Sequence, residues 1–371
     1  MRTRAAVLPA VGSPLQVEDV DLADPGPTEV LVRIEAAGVC HSDWHYMTGD
    51  LPSALPVVPG HEGAGVVERV GDQVTRVRPG DAVCLMWRPR CGHCEFCVTG
   101  RPQLCQAGAV HAATGGLQDG TSRLRRADGG ELFHLLGVSC FAQHAVVSER
   151  AVVPVPADVP AEVAAITGCA VITGVGAVLN VIGACAGQGV VVFGAGGVGL
   201  SAVMGAALSG ASPIVVVDVV PERLAAARRL GATHTVDPRT ESLADLVEEI
   251  RPGGLEWAVE AIGRPDTLTA AVDVLRPGGT LVAVGLAAKG RTFEVPVNVL
   301  VQREKRVVGS LYGSANPLID VPKLLELYRS GRLPVDELIG ARYPLTGVNE
   351  AFAGLTGAGV GRGVLLPGWA G

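Results

Sequence analysis

The chain has 371 residues, of which 48% are hydrophobic and 18% charged, and its formal net charge is −7. A chain of that length and apolar content can bury two sizeable domain cores. The acidic balance offers no electrostatic footing for a polyanion, so no nucleic-acid partner is expected.

From the N-terminus, Met1-Arg2-Thr3-Arg4 is basic, but Pro9, Gly12 and Pro14 interrupt the apolar stretch behind it before a signal-peptide core can form. A cytoplasmic location is expected, and nine cysteines suit a reducing compartment better than a disulfide framework. Valine-rich runs punctuated by glycine and proline come next, at Val30–Ile34, Gly65–Val70 and Gln143–Val147. They predict short strands joined by turns, hence a mainly β domain over the first part of the chain.

Two sparse sets of metal-ligand residue types sit among these strands: Gly38-Val39-Cys40-His41-Ser42-Asp43-Trp44-His45 and Pro59-Gly60-His61-Glu62-Gly63. A denser one follows, with Cys91, Cys94, Cys97 and Cys105 spaced to wrap a single tetrahedral ion. Disulfides, an iron–sulfur cluster and unrelated core thiols compete with zinc here. A closed shell of four thiolates favours zinc, which has no redox chemistry and no geometric demand from d-electrons. Residues 115–130, with Gln118–Thr121 and Ala127–Gly130 as turns, read as an inserted lobe.

From Val163 to Val217 there is no Asp, Glu, Lys or Arg. Glycines and the polar Asn180, Gln188 and Ser209 divide this stretch into short units, which predicts packed helices and strands of an α/β domain and no membrane span. The pattern then becomes strand Val190–Phe193, glycine turn, alanine-rich helix, strand Ile214–Asp218 and a second helix over Glu222–Leu230, a βαβ unit. Trp257–Glu260 and Thr280–Val284 extend the parallel sheet, and Val321–Ser330 is helix-like.

The turn Gly194-Ala195-Gly196-Gly197-Val198-Gly199 matches the dinucleotide fingerprint. In a chain with 50 glycines the match alone is weak, but it follows a strand, opens a helix and is succeeded by Asp218 at the next strand's end. Gly194 serves the tight turn, Gly196 the approach of a pyrophosphate and Gly199 the helix–strand packing. Asp218 meets the ribose hydroxyls and repels a 2′-phosphate, so NAD is expected over NADP.

With these motifs in place, the chain resembles the zinc-dependent alcohol dehydrogenases of the medium-chain dehydrogenase/reductase family, from its opening strands to Gly361-Arg362-Gly363-Val364-Leu365-Leu366. The resemblance implies an α/β fold. A Rossmann domain with a doubly wound parallel sheet would cover 165–311, and a mainly β GroES-like catalytic domain, carrying the four-cysteine lobe, would cover 1–164 and 312–371, with the ligand cleft between them.

It also implies a catalytic zinc with an open position, because an alcohol is too weak an acid to lose its proton unaided at neutral pH. Cys40 and His61 are its first two ligands. Spacing leaves Cys84, Cys140, Cys169 and Cys185 open as the third. The resemblance selects Cys169, within Thr167-Gly168-Cys169-Ala170-Val171-Ile172-Thr173-Gly174, and leaves the other three as core thiols. Asp43 would orient the His61 ring. Glu62 would border the metal, entering its coordination transiently or pairing with an arginine such as Arg362. Ser42 would take the alcohol proton and pass it through the nicotinamide ribose to His45 at the surface.

Further contacts implied in the same way are Arg223 with the adenosine ribose and His41 and Arg362 with the pyrophosphate. Thr173, Val198, Val284 and Leu286 would surround the nicotinamide, with Gly197 in the phosphate loop. Leu51, Trp87, Val110, Leu135 and Leu136 would wall the substrate channel, Trp87 narrowing it in favour of primary alcohols and aldehydes. A homodimer using NAD and two zinc ions per chain is expected, with a small-molecule substrate. The rival activity is that of a thiol-adduct formaldehyde dehydrogenase. Its glutathione-dependent members carry an arginine four residues after the last lobe cysteine, where this chain has Ala109. A non-catalytic NAD-binding redox sensor, with Cys91–Cys105 as a thiol switch, is the reading of another class. The intact set Cys40, Ser42, His45, His61 and Cys169 opposes it.

Overall fold

A computed structural model describes residues 1–106, 108 and 113–368, so the expectations for Ala109 and Val110 lie outside the described residues. The chain forms two compact units. One consists of Met1–Cys169, Asn316–Arg329 and Ile339–Gly371, the other of Ala170–Ala315 and Ser330–Leu338.

Two sheets build the first unit. Strand Glu29–Gly38 is central to the larger one, paired with Glu62–Val70 on one side and with His144–Ser148 and Arg362–Leu366 on the other. Its run Val30, Leu31, Val32, Ile34, Ala36, Ala37 is buried almost without interruption, as a strand covered on both faces requires. Register then does functional work: Gly38 pairs with Glu62, so the ends of two core strands bring the first two ligand motifs side by side.

The smaller sheet runs in the order Arg2–Val7, Gln16–Leu22, Leu124–Arg126, Glu131–His134, Val57–Val58. Here the structure corrects the expectation for residues 115–130. Instead of standing out as an inserted lobe, the segment supplies a strand that pairs with Gln16–Leu22, and it buries Leu117 and Leu124 with Val20, Leu22 and Leu132. Arg123 clamps Glu29 through two bonds of 2.8 Å, and Arg126 grips Glu18 in the same forked manner. The turn residues had masked this hairpin, because its apolar members are too few to give an alternating run.

The second unit is a six-stranded parallel sheet, ordered His234–Val236, Ile214–Val217, Val190–Phe193, Leu255–Glu260, Leu275–Ala283, Arg306–Gly309. The order reverses at Val190–Phe193, which makes its carboxyl end the topological switch point where ligands bind in such sheets. Helix Gly197–Leu208 starts there and is buried over nearly its whole circumference, which its glycine, alanine and valine content permits.

The helix expected over Val321–Ser330 in fact runs Pro317–Arg329. Asn316 nucleates it early: its carbonyl accepts from Ile319 and Asp320, and its amide donates to the Asp320 carboxylate. Among the described residues one helix, Ala161–Ile182, is long and apolar enough to cross a membrane, but 83% of its apolar window is buried inside the protein.

Candidate metal centre and cofactor loop

Cys40 lies two residues beyond the central strand and caps helix His41–Thr48, its sulfur accepting from the Ser42 amide at 3.4 Å. The same helix aims Asp43 inward. Its fully buried carboxylate accepts from the Gly60 amide at 3.0 Å and holds Nδ1 of His61 at 3.1 Å, which leaves Nε2 for other partners. That Nε2 lies 3.4 Å from the sulfur of Cys169.

Cys169 arrives by a different device. Helix Ala161–Ile166 continues into a π turn over Thr167–Val171, an irregularity frequent at functional sites. Thr167 donates its hydroxyl back to the Val163 carbonyl at 2.7 Å, and Gly168 is pressed so closely on strand Ala82–Leu85 that an added Cβ would meet the Leu85 carbonyl at 2.7 Å. The turn therefore presents Cys169 toward the other two motifs. The donor atoms of Cys40, His61, Glu62 and Cys169 all lie within 4.8 Å of one another, and all four residues are buried.

The electrostatics of this donor set are strongly coupled. Cys40 is held well below the usual thiol range by its hydrogen bond with Cys169, helped by the charges of Arg362 and His61 against the cost of burial. Cys169 is correspondingly pushed up by Cys40 and by burial. Burial opposes a charged His61 ring, but Asp43 and Cys40 outweigh it and hold the group well above its ordinary value. Such a set sheds protons when a cation enters. Burial pushes Glu62 up to about 8 despite the attraction of Arg362.

Arg362 is 3% exposed, donating to Glu62 at 2.9 Å and to the Val39 carbonyl at 3.2 Å, so it meets the carboxylate pairing expected of it. Gly38 leaves the room: a Cβ there would fall 2.1 Å from a Glu62 oxygen. Ser42 and His45 lie on helix His41–Thr48 at the spacing that shares one face. Sequence reasoning missed Asp50, whose carboxylate sits 3.0 Å from Nδ1 of His45, because a partner beyond the helix end carries no periodic signal. His41 is exposed.

The second cluster is local. Cys91 and Cys97 sulfurs are 3.9 Å apart and those of Cys94 and Cys105 3.7 Å, with all four within 4.8 Å of one another. Backbone amides of Cys94, Cys91 and Gly108 point at the sulfurs of Cys91 and Cys105. The His93 amide and its neighbours hold Cys91 down to about 6, whereas burial pushes Cys97 up to about 12. Cys84, Cys140 and Cys185 are fully buried and belong to neither group.

Among the channel candidates, Leu51 and Trp87 are half-buried, and the Trp87 ring stands perpendicular to His61 with centroids 6.4 Å apart. Leu135 is fully buried in the core of this unit and Leu136 nearly so, with φ 53.

In the second unit Gly194 has φ 92, and an added Cβ on Gly199 would stand 1.7 Å from the Gly194 carbonyl, so only glycine lets the helix start this close to the strand. Space beyond Gly196 is open, with nothing within 4 Å of a Cβ built there, and the amides of the Gly197–Leu208 helix begin at that point. Asp218 ties the loop down, one oxygen accepting from the Ala195 amide at 2.7 Å and the other from Val220 at 2.9 Å. Thr173, Val198, Arg223 and Val284 are half-buried and Leu286 is 48% exposed.

The chain is similar to known proteins over nearly its whole length. The family described as alcohol dehydrogenase GroES-like domain matches residues 26–157, and that described as zinc-binding dehydrogenase matches 197–330. The chain is 40% identical to the NDMA-dependent alcohol dehydrogenase of Amycolatopsis methanolica, with 99% of each chain covered. It is 36% identical to the S-(hydroxymethyl)glutathione dehydrogenase of Komagataella pastoris over 95% of this chain and 94% of that one. Among solved structures, the benzyl alcohol dehydrogenase of Acinetobacter calcoaceticus superposes with a TM-score of 0.93 at 33% identity, covering 99% of both chains.

Proposed function

The chain belongs to the zinc-binding alcohol dehydrogenases of the medium-chain dehydrogenase/reductase family, and on that premise we propose that it interconverts primary alcohols and aldehydes with NAD and two zinc ions per chain. The observation that carries this reading is the buried convergence of Cys40, His61 and Cys169 donor atoms. Two sulfurs and one imidazole nitrogen are a catalytic zinc set with a position left open, and the four clustered cysteines are a closed structural one.

Cys40, His61 and Cys169 would hold a zinc ion whose Lewis acidity would let an alcohol hydroxyl ionise near neutral pH, with NAD, when bound, as the hydride acceptor. The chain's own groups do the rest. Asp43 keeps the His61 ring in the tautomer that offers Nε2. The Ser42 hydroxyl would accept the alcohol proton while releasing its own onward, and His45, with Nδ1 turned to Asp50, would take up the relayed proton and exchange it with solvent through its other nitrogen. Arg362 donates to Glu62 and holds its side chain beside the donors. Asp218 keeps acceptor capacity beyond its two amide bonds for the ribose hydroxyls, with Arg223 close by in sequence on the following helix. His41 on the pyrophosphate and Thr173, Val198, Val284 and Leu286 around the nicotinamide complete the assignment.

A homodimer fits the second unit, whose edge strand Arg306–Gly309 pairs on one side only among the described residues and carries the exposed Val307, with the exposed Val297 and Val301 on the preceding helix. Nine free cysteines, six of them in the two donor sets, favour the cytoplasm.

The test is metal analysis plus a substrate panel. We expect two zinc ions per chain and turnover of medium-length or aromatic primary alcohols with NAD, in preference to NADP and without added NDMA. The likeness to S-(hydroxymethyl)glutathione dehydrogenase makes formaldehyde plus glutathione the competing substrate. A large kcat/KM advantage for that adduct would overturn the alcohol assignment. Asp218→Gly is expected to weaken NAD by more than tenfold, about 2 kcal/mol for lost charge-assisted bonds, and to relax discrimination against NADP. Wild-type preference for NADP would refute this assignment of Asp218.

A further inference from the structure

We propose that Arg88 is a positioning residue through which the four-cysteine loop sets the orientation of Trp87, and with it the size of alcohol accepted. The proposal rests on the reading of Trp87 as a wall of the substrate site. Trp87 and Arg88 directly follow the core strand Ala82–Leu85 and Met86, and they precede Cys91 by only a few residues. On one side the Trp87 ring faces His61 at 6.4 Å in a perpendicular arrangement. On its other contact the Arg88 guanidinium lies 5.9 Å from the ring centroid, within cation–π range.

Arg88 is itself anchored to the loop. Its Nε donates to the Gln103 carbonyl at 2.8 Å, and Gln103 is buried in the short helical turn Pro102–Leu104 that leads into Cys105. A second link runs parallel to the first. Gly108 donates its amide to the Cys105 sulfur at 3.1 Å and packs so tightly on the next residue of this segment that a Cβ would stand 1.9 Å from the Pro89 carbonyl.

The consequence follows from geometry. The last ligand cysteine, the Gln103 carbonyl, the Arg88 fork and the Trp87 ring form a continuous chain of contacts ending against a ligand histidine of the reactive centre. Drawing the four sulfurs around a cation fixes the Pro102–Cys105 turn, which fixes Arg88, which fixes the ring. A loosened ring would accept bulkier alcohols, so the four-cysteine site would govern selectivity as well as stability. The planar guanidinium suits this role because it stacks on an aromatic face and donates in a fixed direction at once, which an ammonium does less well.

The test is a double-substitution cycle on the full-length enzyme. Arg88→Met keeps the stem and removes the fork; Arg88→Lys keeps the cation and serves if the first variant folds poorly. We expect Arg88→Met to shift the ratio of kcat/KM for an aromatic over a short aliphatic alcohol by at least about fivefold, carried in KM, while kcat for the short alcohol moves less than about twofold. Tryptophan emission should shift to the red. In a Trp87→Phe background the same substitution should change neither the ratio nor the emission by a comparable amount. Arg88→Lys should restore part of both signals. The proposal is overturned if Arg88→Met lowers thermal stability or zinc content while ratio and emission stay put, or if its effects persist in the Trp87→Phe background. Should no alcohol be turned over, the emission cycle still decides whether Arg88 holds Trp87, and the failure then falls on the substrate reading alone.

Discussion

The two donor clusters of the first unit differ in how they are made. Cys91, Cys94, Cys97 and Cys105 lie on one loop, three of them half-buried, and their sulfurs are surrounded by one another and by loop amides. Cys40, His61 and Cys169 come from a strand end, a neighbouring strand end and a π turn, with every member nearly fully buried. Around them stand Asp43, Glu62 and Arg362, paired so that no formal charge is stranded. A local cluster needs its cation to hold the loop together, whereas the assembled one is held open by the sheet and helix cores. Metal loss should therefore unfold one region and merely silence the other.

The sharpest way to break this contrast is Cys40→Ser or Cys169→Ser. Either is expected to remove one zinc and cut turnover by more than about a thousandfold, since Lewis-acid assistance is worth several kcal/mol, while the fold and NAD affinity persist. Zinc content, circular dichroism and NAD titration check it. Full activity with two zinc ions retained would end the assignment. Cys94→Ser should do the reverse, lowering the apparent melting temperature by at least about 5 °C and releasing the other zinc. A stable variant with normal metal content would contradict it.

A finer test lies in the supporting groups. Asp43→Asn removes the carboxylate that aligns His61 and is expected to weaken zinc at the buried site by about 10- to 100-fold, read by competition with a chelator. His93→Ala, on the exposed loop beside Cys91, should alter zinc retention by less than about twofold, because the backbone amide that serves the sulfur is kept and the exposed ring reaches only the Cys91 carbonyl. Equal effects from the two substitutions would mean that the clusters are not organised differently after all.

What was legible in the sequence follows the same division. The parallel-sheet strands Val190–Phe193 and Ile214–Val217 appear where the apolar runs place them, because buried strands need consecutive β-branched residues. The hairpin strand Leu124–Arg126 was hidden, since three residues in a turn-rich segment carry no readable period and the pairing is secured by distant Glu18 and Glu29. The start of helix Pro317–Arg329 was missed because Pro322 inside it reads as a breaker, while Asn316 and Asp320 cap it one turn earlier.

By itself the sequence determined the four-cysteine loop and the glycine turn with its downstream acid, because in both the chemistry is written in residues a few positions apart or one βαβ unit apart. Spacing could not choose Cys169 from Cys84, Cys140 and Cys185; the resemblance chose it, and the tertiary structure supplied the physical reason. The π turn aims Cys169 at His61, while Cys84 donates to the Ala164 carbonyl and Cys140 is sealed against Gly63. The pairing of Glu62 with Arg362, which the sequence offered as one of two alternatives, was settled in three dimensions, and the link from His45 to Asp50 and the path from Gln103 through Arg88 to Trp87 were visible only there. Each depends on strand register and on which side of a buried layer a side chain emerges, and those are properties of the packed core rather than of any local stretch of chain.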